Sequence, residues 1–313
     1  MRIGLDMMGG DYAPGSTVAG AVLAMRELGK RHTLVLIGNQ KVMEPLLEKA
    51  GRNDGQYEIV HAPECIGMGD NPARAFARKP DSSIAVGYRL LKEGHIDGFT
   101  SAGNTGAMLV GAHYSVKTIE GIIRPAIATW MPSFNGPGNI ILDIGINPDS
   151  RPEMLYQYGI IGSLYAEHVF GIKNPRVGLL NIGAEETKGN LVAKATYELM
   201  AGNQEFNFIG NVEGNDLFSN EKMDVVVTDG FVGNVVLKEA EVLYIMARKR
   251  NLKDAFFEKF NFENYGGTPI LGINAPVVIG HGISSDVAIK NMILKTVNVI
   301  EAGLTEKIKE AFK

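Results

Sequence analysis

Residues 96–112 read "IDGFTSAGNTGAMLVGA", and this stretch carries the pattern that decides the fold. A short apolar run ends in small, turn-forming residues, and an apolar run with helical spacing follows at once. The pattern predicts a β-strand that leads through a glycine turn into an α-helix capped by Asn104 or Thr105. Gly103 and Gly106 would let the first N–H groups of this helix approach an oxyanion, although a helix cap alone explains the same residues equally well.

The same alternation of short strands and longer helices runs along the chain. It begins with a strand at 2–6 and a helix at 16–29, continues with a helix at 81–94 that Asp81 is expected to cap, and ends with a helix at 285–304. Nearly all-apolar strands that alternate with helices are typical of a mostly parallel sheet covered on both faces. We therefore predict an α/β fold with one domain over residues 1–313 and a helical, charged and aromatic excursion at about 238–265.

Composition excludes several classes of protein. The chain has 313 residues and a formal net charge of -4, so no general basic field attracts nucleic acid. Cys65 is the only cysteine, which rules out an internal disulfide and makes the reducing cytoplasm the expected location. We expect Cys65 to be a structural thiol and not an acyl-accepting nucleophile, because only His61 stands near it as a base. The sequence shows neither a signal-peptide core nor an apolar run of about 18 residues that could span a bilayer.

Seven loops that follow predicted strands have similar chemistry, since each combines glycine with polar side chains. These loops are residues 6–11, 100–106, 143–152, 181–190, 210–216, 228–234 and 280–286. The carboxyl ends of parallel strands meet at one edge of a sheet, where helix N-termini bind anions. The nucleotide-binding glycine motifs and the metal-binding His and Cys motifs are missing, so we expect a small anion as ligand, no cofactor and no metal site.

Two loop residues stand out as candidates for chemistry. Lys188 could place its ammonium on phosphate or on a developing oxyanion, and the alternative is a solvated surface lysine. His281, between two glycines, is either a site residue or a packed histidine.

Long strings of the sequence resemble the bacterial phosphate acyltransferase family in order along the chain. The strings are "LDMMGGDYAP", "DGFTSAGNTGAMLVGA", "RPAIATWMP", "RVGLLNIGAEETKGN", "FIGNVEGND", "DVVVTDGFVGNVVLK", "YGGTPILG" and "HGISSDVAIKNMI". The chain departs from the family pattern at Tyr12, usually histidine, at Ile146, usually alanine, and at Thr187, usually glycine. The segment between Lys238 and Tyr265 is also shorter than in many relatives, in which the matching helices are linked to membrane attachment.

The resemblance implies a fold, a reaction and partners. The fold would be a three-layer α/β/α Rossmann-like fold of the isocitrate and isopropylmalate dehydrogenase type, as in phosphotransacetylases, in a homodimer. The reaction would transfer a fatty acyl group from acyl-[acyl carrier protein] to orthophosphate and give acyl phosphate for phospholipid synthesis. The product would pass to a membrane glycerol-3-phosphate acyltransferase.

A direct attack of phosphate on the thioester needs anion-binding and oxyanion-stabilising groups but no protein nucleophile. We predict that four residues serve catalysis: Lys188, Asn234, His281 and Asp229. We predict that nine residues bind substrate or phosphate: Gly9, Gly10, Asp11, Ser101, Asn104, Thr105, Asn190, Asn211 and Ser284.

Residues 247–260 combine Arg248, Lys249, Arg250 and Lys253 with Phe256, Phe257 and Phe260. This composition suits an acidic carrier protein or an anionic membrane surface, and the alternative is a solvated helix end with core phenylalanines.

Two other functions fit the loops: a phosphotransacetylase-like enzyme that uses acyl-coenzyme A, and a non-catalytic scaffold for lipid synthesis.

Overall fold

The computed structural model describes residues 1–51, 57–134, 136–219 and 221–313. The chain divides into two compact units. The first unit contains Met1–Thr118 and Phe262–Glu301, and the second contains Ile119–Asn261 and Ala302–Lys313. That one domain spans the whole chain stays a prediction.

The strands of the described residues are, in chain order, β1 (Arg2–Asp6), β2 (Thr33–Gly38), β3 (Tyr57–His61), β4 (Gly98–Ser101), β5 (Ala126–Met131), β6 (Asn139–Leu142), β7 (Arg176–Leu180), β8 (Asn207–Val212), β9 (Val225–Val227), β10 (Thr268–Leu271) and β11 (Val277–Ile279).

The α-helices of these residues are α1 (Gly15–Leu28), α2 (Gln40–Lys49), α3 (Pro72–Arg78), α4 (Ser83–Lys92), α5 (Thr105–Gly111), α6 (Pro152–Phe170), α7 (Leu191–Ala201), α8 (Gly230–Lys249), α9 (Ala255–Glu258), α10 (Asp286–Glu301) and α11 (Leu304–Ala311). A π-helical turn, Ala112–Val116, continues α5.

The first unit is built on strands in the order β3-β2-β1-β4-β11-β10. All neighbours are parallel except β10 and β11, and β1 lies between β2 and β4, with Leu5 opposite Leu36 and Thr100. Helices cover both faces of β4. A Cβ on Gly98 would meet Ile300 of α10 on one face, and the next residue, Phe99, packs against Gly87 of α4 on the other face. This is the predicted three-layer arrangement, and it places the carboxyl ends of β1, β4 and β11 side by side.

Close helix packing holds one of these layers together. At Gly20 of α1, a Cβ would lie 2.6 Å from the carbonyl oxygen of Asp286 in α10, so glycine allows the two helices to touch. The apolar core around them includes Val22 and Met25 from α1 and Ile289 and Ile293 from α10, all buried.

The second unit is built on strands in the order β5-β6-β9-β7-β8. Only β5 and β6 are antiparallel. Helix α6 lies on the sheet face that carries Leu142 and Val225, because Gly162 of α6 packs directly on both side chains. The helix ends at Phe170, and the next residue, Gly171, caps it in a left-handed conformation with a φ of 70°. As in the first unit, the parallel strands bring loops to one edge.

The predicted strand-turn-helix of residues 96–112 is confirmed as β4 and α5. The helix predicted at 81–94 also forms, but its cap was wrongly assigned to Asp81. Ser82 is the N-cap instead, since its Oγ accepts the N–H of Ala85 at 3.4 Å and α4 begins at Ser83. Helices α2, α3 and α11 and strands β3 and β10 were not predicted from the sequence.

Candidate functional site

Three predicted loops of the first unit meet at the carboxyl ends of β1, β4 and β11, and we call residues 6–11, 101–106 and 280–286 the first loop cluster. Asp6 is 1% exposed, and its carboxylate accepts the N–H of Met8 at 2.9 Å and the hydroxyl of Ser101 at 2.6 Å. The hydroxyl oxygen of Ser101 in turn accepts the N–H of Gly103 at 2.9 Å. Asp6 therefore ties the loop after β1 to the loop after β4, and the predicted convergence is confirmed within this unit.

Gly9 and Gly10 allow these loops to touch. A Cβ on Gly9 would lie 2.7 Å from the backbone nitrogen of Gly103, and Gly10 has a φ of 104°. The next residue, Asp11, donates its backbone N–H to the carbonyl oxygen of Gly282 at 2.8 Å, while its side chain is exposed. The two glycines thus have a backbone role.

Asn104 caps α5 as predicted, because its Oδ1 accepts the N–H of Ala107 at 3.0 Å. Its Nδ2 donates to the carbonyl oxygens of Gly67 at 3.1 Å and Asp70 at 3.0 Å. Its side chain is therefore engaged within the protein. Thr105, the first residue of α5, is exposed, and within the described residues its N–H and that of Gly106 donate to no protein acceptor. Any anion here would meet backbone N–H groups and Thr105, and not the amide of Asn104.

Residues 67–70 form a part of this site that sequence reasoning missed. The ammonium of Lys79 holds the segment by an ion pair with Asp70 at 2.7 Å and a hydrogen bond to the carbonyl oxygen of Cys65 at 2.8 Å. A signal was present in "DNPARA", where Asn71 caps α3 and Pro72 opens it.

His281 and Ser284 shape the third loop of the cluster. Ser284 is 3% exposed and donates both its hydroxyl and its N–H to the carbonyl oxygen of His281, at 2.6 and 3.0 Å. The imidazole of His281 packs against Phe262 with 5.0 Å between ring centroids. The hydroxyl of Ser284 therefore closes a turn, and Ser285 caps α10 by accepting the N–H of Ala288 at 3.4 Å.

Cys65 has the character of a structural thiol. Burial, with a smaller contribution from Asp6, raises its pKa to about 11, and its sulfur donates to the carbonyl oxygen of Met8 at 3.4 Å. A thiol with this pKa is almost entirely protonated near neutral pH and is a poor nucleophile.

Four predicted loops of the second unit follow β6, β7, β8 and β9, and we call residues 143–147, 181–190, 210–213 and 228–234 the second loop cluster. Asp143 is fully buried, and its Oδ2 accepts the backbone N–H of Asn147 at 2.7 Å and the side-chain amide of the same residue at 2.9 Å. Its Oδ1 accepts the N–H groups of Ile127, Gly145 and Ile146 at 3.2 to 3.3 Å. Asp143 thus organises its loop as Asp6 does in the first unit.

Asparagines hold the loop of residues 181–190. Asn211 is 8% exposed, accepts the amide of Asn181 at 3.1 Å and donates to the carbonyl oxygen of Glu185 at 2.9 Å. The amide of Asn181 also donates to the carbonyl oxygen of Lys188 at 3.2 Å. The predicted site residue Asn211 therefore fixes the loop that carries Lys188, through its oxygen and one of its two amide N–H groups.

Lys188 is exposed, and its side chain passes over Gly183, where a Cβ would lie 2.9 Å from its Cγ. Within the described residues its ammonium makes no ion pair, and that leaves it available to an anion.

The remaining predicted residues of this cluster lie at helix starts. Asn190 caps α7 by accepting the N–H of Ala193 at 2.8 Å, and Asp229 caps α8 by accepting the N–H groups of Phe231 and Val232 at 2.9 and 2.8 Å. Asn234 donates to the carbonyl oxygen of Ile144 at 3.2 Å. Asp229 was predicted to serve catalysis, and one of its carboxylate oxygens is already used by this cap.

A cavity of about 330 Å³ opens between the two helix starts of the second loop cluster. Asn190 and Asp229 line it, and most of its wall is aliphatic. Its lining residues are Leu155, Leu179, Leu180, Asn181, Ile182, Gly189, Asn190, Val192, Ala193, Thr228, Asp229 and Val232.

The predicted docking segment, residues 247–260, divides into a packed part and an exposed part. The ring of Phe256 stacks on Phe134 with 4.0 Å between centroids, and Phe260 is 6% exposed and packs near Phe218. Arg248 lies over the ring of Tyr244 at 5.9 Å. At the end of α8 a cavity of about 460 Å³ is lined by Leu243, Met246, Ala247, Lys249, Arg250, Leu252 and Phe257.

Sequence comparison places the chain among known proteins. The family described as fatty acid synthesis protein matches residues 1–249. A phosphate acyltransferase of Dictyoglomus turgidum is 41% identical over 99% of this chain and 97% of its own length, and one of Desulfitobacterium hafniense is 42% identical with the same coverage.

The chain belongs to the phosphate acyltransferase family. As a member of this family it is an acyltransferase and belongs to fatty acid synthesis. No helix in the described part of the chain has both the length and the apolar character needed to cross a membrane.

Solved structures confirm the predicted fold of this phosphate acyltransferase family member. A phosphotransacetylase from Streptococcus pyogenes matches with a TM-score of 0.66 and 20% identity over 98% of this chain and 94% of its own. A 4-hydroxythreonine-4-phosphate dehydrogenase from Klebsiella pneumoniae matches with a TM-score of 0.59 and 13% identity over 96% and 98% of the two chains. At such identities the likeness shows the fold alone.

The buried carboxyl group of Asp6 should give the stability of the protein a specific pH dependence. Burial raises its pKa above the ordinary value of 3.8, against the opposing effect of its hydrogen bonds. The folded state then binds more protons than the unfolded state between the two pKa values, so stability falls as pH rises through that window. Asp6→Asn cannot titrate. Chemical denaturation should therefore give a free energy of unfolding that is higher for the wild type than for Asp6→Asn. This difference should be largest below about pH 4 and should shrink as pH rises.

The exposed Asp149→Asn variant provides the control for this experiment. If the free energy of unfolding of the wild type exceeded that of Asp6→Asn by an amount that grows with pH, the raised pKa of Asp6 would be contradicted.

Proposed function

We propose that the protein transfers a fatty acyl group from acyl-[acyl carrier protein] to orthophosphate, which gives acyl phosphate and free carrier protein for phosphatidic acid synthesis. The observation that carries the proposal is the exposed ammonium of Lys188, which makes no ion pair with the described residues, in the second loop cluster of a phosphate acyltransferase family member. An exposed cation close in sequence to the start of α7 suits a reaction whose transition state gains negative charge on oxygen.

The proposed reaction is direct. A phosphate oxygen forms a bond to the thioester carbonyl carbon, the carbon–sulfur bond breaks, and the carrier thiolate leaves and takes up a proton. Phosphate is already anionic near neutral pH, so the step does not demand a strong base, and the thiol of Cys65, with its raised pKa, is not needed.

In the second unit, we assign stabilisation of the carbonyl oxyanion to Lys188. Asn211 and Asn181 position the loop that carries this lysine. Asp229 has one carboxylate oxygen on the N–H groups of α8. We propose that its other oxygen orients the substrate, and that Asn190 and Asn234 act as part of the same cluster.

In the first unit, we propose that the loops of the first loop cluster bind phosphate. Because Ser101, Asn104 and Ser284 use their side chains in internal hydrogen bonds, the contribution of these loops comes from backbone N–H groups and from Thr105. A catalytic role of His281 stays a proposal that rests on its position in the third of these loops. Gly9, Gly10 and Asp11 supply the backbone geometry that holds the loops together.

The function can be tested with the purified protein and orthophosphate, to which either acyl-[acyl carrier protein] or acyl-coenzyme A is added. When acyl-[acyl carrier protein] is the donor, trapping with hydroxylamine should show that acyl phosphate is formed. Turnover on the coenzyme thioester alone would favour the phosphotransacetylase-like alternative, and acyl phosphate from neither donor would favour the non-catalytic scaffold.

Lys188→Ala should lower kcat about 100- to 1,000-fold, because the variant loses a donor that acts on the developing oxyanion. The KM for carrier protein should change much less. Lys194→Ala, in the same unit and also exposed, is the matched control and should keep wild-type turnover. Steady-state kinetics check this, and wild-type turnover in Lys188→Ala would remove Lys188 from the mechanism.

We further propose that the carrier protein docks at the end of α8. Arg248, Lys249, Arg250 and Lys253 supply positive charge for an acidic partner. Ile245, Met246 and Leu252 are 48%, 53% and 52% exposed and supply apolar contact area. Phe256 and Phe260 support this end from within, since they pack against Phe134 and Phe218.

Reversal of two charges, Arg248→Glu with Arg250→Glu, should raise the KM for carrier protein about tenfold at low salt, equivalent to about 1.4 kcal/mol. The effect should fade as salt rises, since exposed charges are screened. Lys30→Glu with Arg31→Glu makes the same charge change in the first unit and should leave this KM unaltered. An unaltered KM in the Arg248 and Arg250 variant, with loss of binding to anionic vesicles, would instead assign the segment to a membrane surface.

We propose three further properties together with this function. The protein forms a homodimer, it works in the cytoplasm with peripheral membrane contact through residues 247–260, and it hands acyl phosphate to a membrane glycerol-3-phosphate acyltransferase. Light scattering tests the dimer, and a monomer at working concentration would refute it.

A further inference from the structure

The cavity of about 330 Å³ in the second unit has a graded wall. At its inner end, Leu155, Leu179 and Thr228 are 4%, 1% and 3% exposed. At its mouth, Ile182 and Val232 are 81% and 38% exposed. The cavity is therefore a mostly aliphatic pocket whose wall runs from buried residues to solvent-exposed residues near the starts of α7 and α8.

Several polar groups on this wall are engaged within the protein: the whole side-chain amide of Asn181, and one side-chain oxygen each of Asn190 and Asp229. Asn181 accepts the N–H of Ile182 at 2.8 Å and donates its amide to Asn211 and to the carbonyl oxygen of Lys188. Asn190 and Asp229 accept the N–H groups of their helices. The surface that is left for a ligand is mainly apolar, and this suits an alkyl chain better than the amide-bearing arm of a carrier protein or coenzyme A.

The reactive end of such a ligand has a defined place. Asn190 and Asp229 line the pocket at the starts of α7 and α8, and Lys188 is separated from Asn190 by Gly189 alone. A thioester at this end would have its carbonyl oxygen near the positive ends of α7 and α8, on the loop that carries Lys188, while its chain would run toward Leu155.

We infer that this pocket binds the fatty acyl chain of the thioester and sets which chain lengths the enzyme accepts. The inference rests on the proposed function and adds the subsite for the acyl chain. Each methylene that enters the pocket should strengthen binding about fourfold, so the volume of about 330 Å³ limits the length of chain that gains this advantage.

The pocket can be narrowed from α7 without a change in its rim. In Val192→Phe, a larger side chain enters the pocket from a half-buried position. The ratio of kcat/KM for long-chain over short-chain acyl-[acyl carrier protein] should fall about tenfold or more, because the ring displaces at least two methylenes. Leu199→Phe lies on the same helix outside the pocket, 44% exposed, and should keep the wild-type ratio.

A second variant tests the opposite direction. Leu155→Val enlarges the inner end and should shift the preference toward longer chains. An unchanged chain-length ratio in both pocket variants, with an active wild type, would overturn the inference and leave the proposed function standing. Equal loss at every chain length would also overturn it, because the pocket would then bind a group that all these donors share. A wild type that makes no acyl phosphate from any donor would refute the proposed function itself.

Discussion

Both units depend on the same constraint: a carboxylate buried at the end of a strand must receive hydrogen bonds. Asp143 obtains five, all from its own loop and the neighbouring strand. Asp6 obtains the hydroxyl of Ser101 and the N–H of Met8. A loop that moved away would leave a buried charge without partners, which costs several kcal/mol. The loops after these strands are therefore held in one arrangement before any substrate binds, as a preorganised site requires.

This constraint changes the meaning of the polar residues in the loops. Ser101, Asn104, Asn211 and Ser284 look like ligands in the sequence, yet their side chains hold loops together. What they leave for a substrate is backbone N–H groups at helix starts and the ammonium of Lys188. A reaction that needs a bound anion and a stabilised oxyanion can use both, and it does not need a protein nucleophile.

Local patterns made much of the fold predictable, and non-local contacts limited the rest. The strand, turn and helix of residues 96–112 follow from neighbours in sequence, as does the cap at Asn104. The second role of Asn104, which anchors residues 67–70, joins segments more than 30 residues apart and leaves no local signal. The two-unit organisation was also hidden, because residues 262–301 return to the first unit without a recognisable linker.

Asp6 and Asp143 were missed as organising residues for a similar reason. Each follows an apolar run and precedes a glycine-rich turn, in "LDMMGG" and "LDIG", and in sequence they resemble any polar loop residue. One rule would have found both: an Asp that ends a buried strand and precedes a glycine turn has a carboxylate that holds the loop. Lys188 was proposed as a catalytic residue from its position between Thr187 and Gly189 in a loop after a strand, and this role stays a prediction.

The central claim is that phosphate attacks the thioester directly, and initial-rate kinetics test it most directly. Acyl-[acyl carrier protein] and orthophosphate would be varied together in the presence of the purified protein. Direct attack requires both substrates to be bound at once, and it predicts intersecting lines in double-reciprocal plots. Parallel lines would indicate an acyl-enzyme intermediate and would contradict the account.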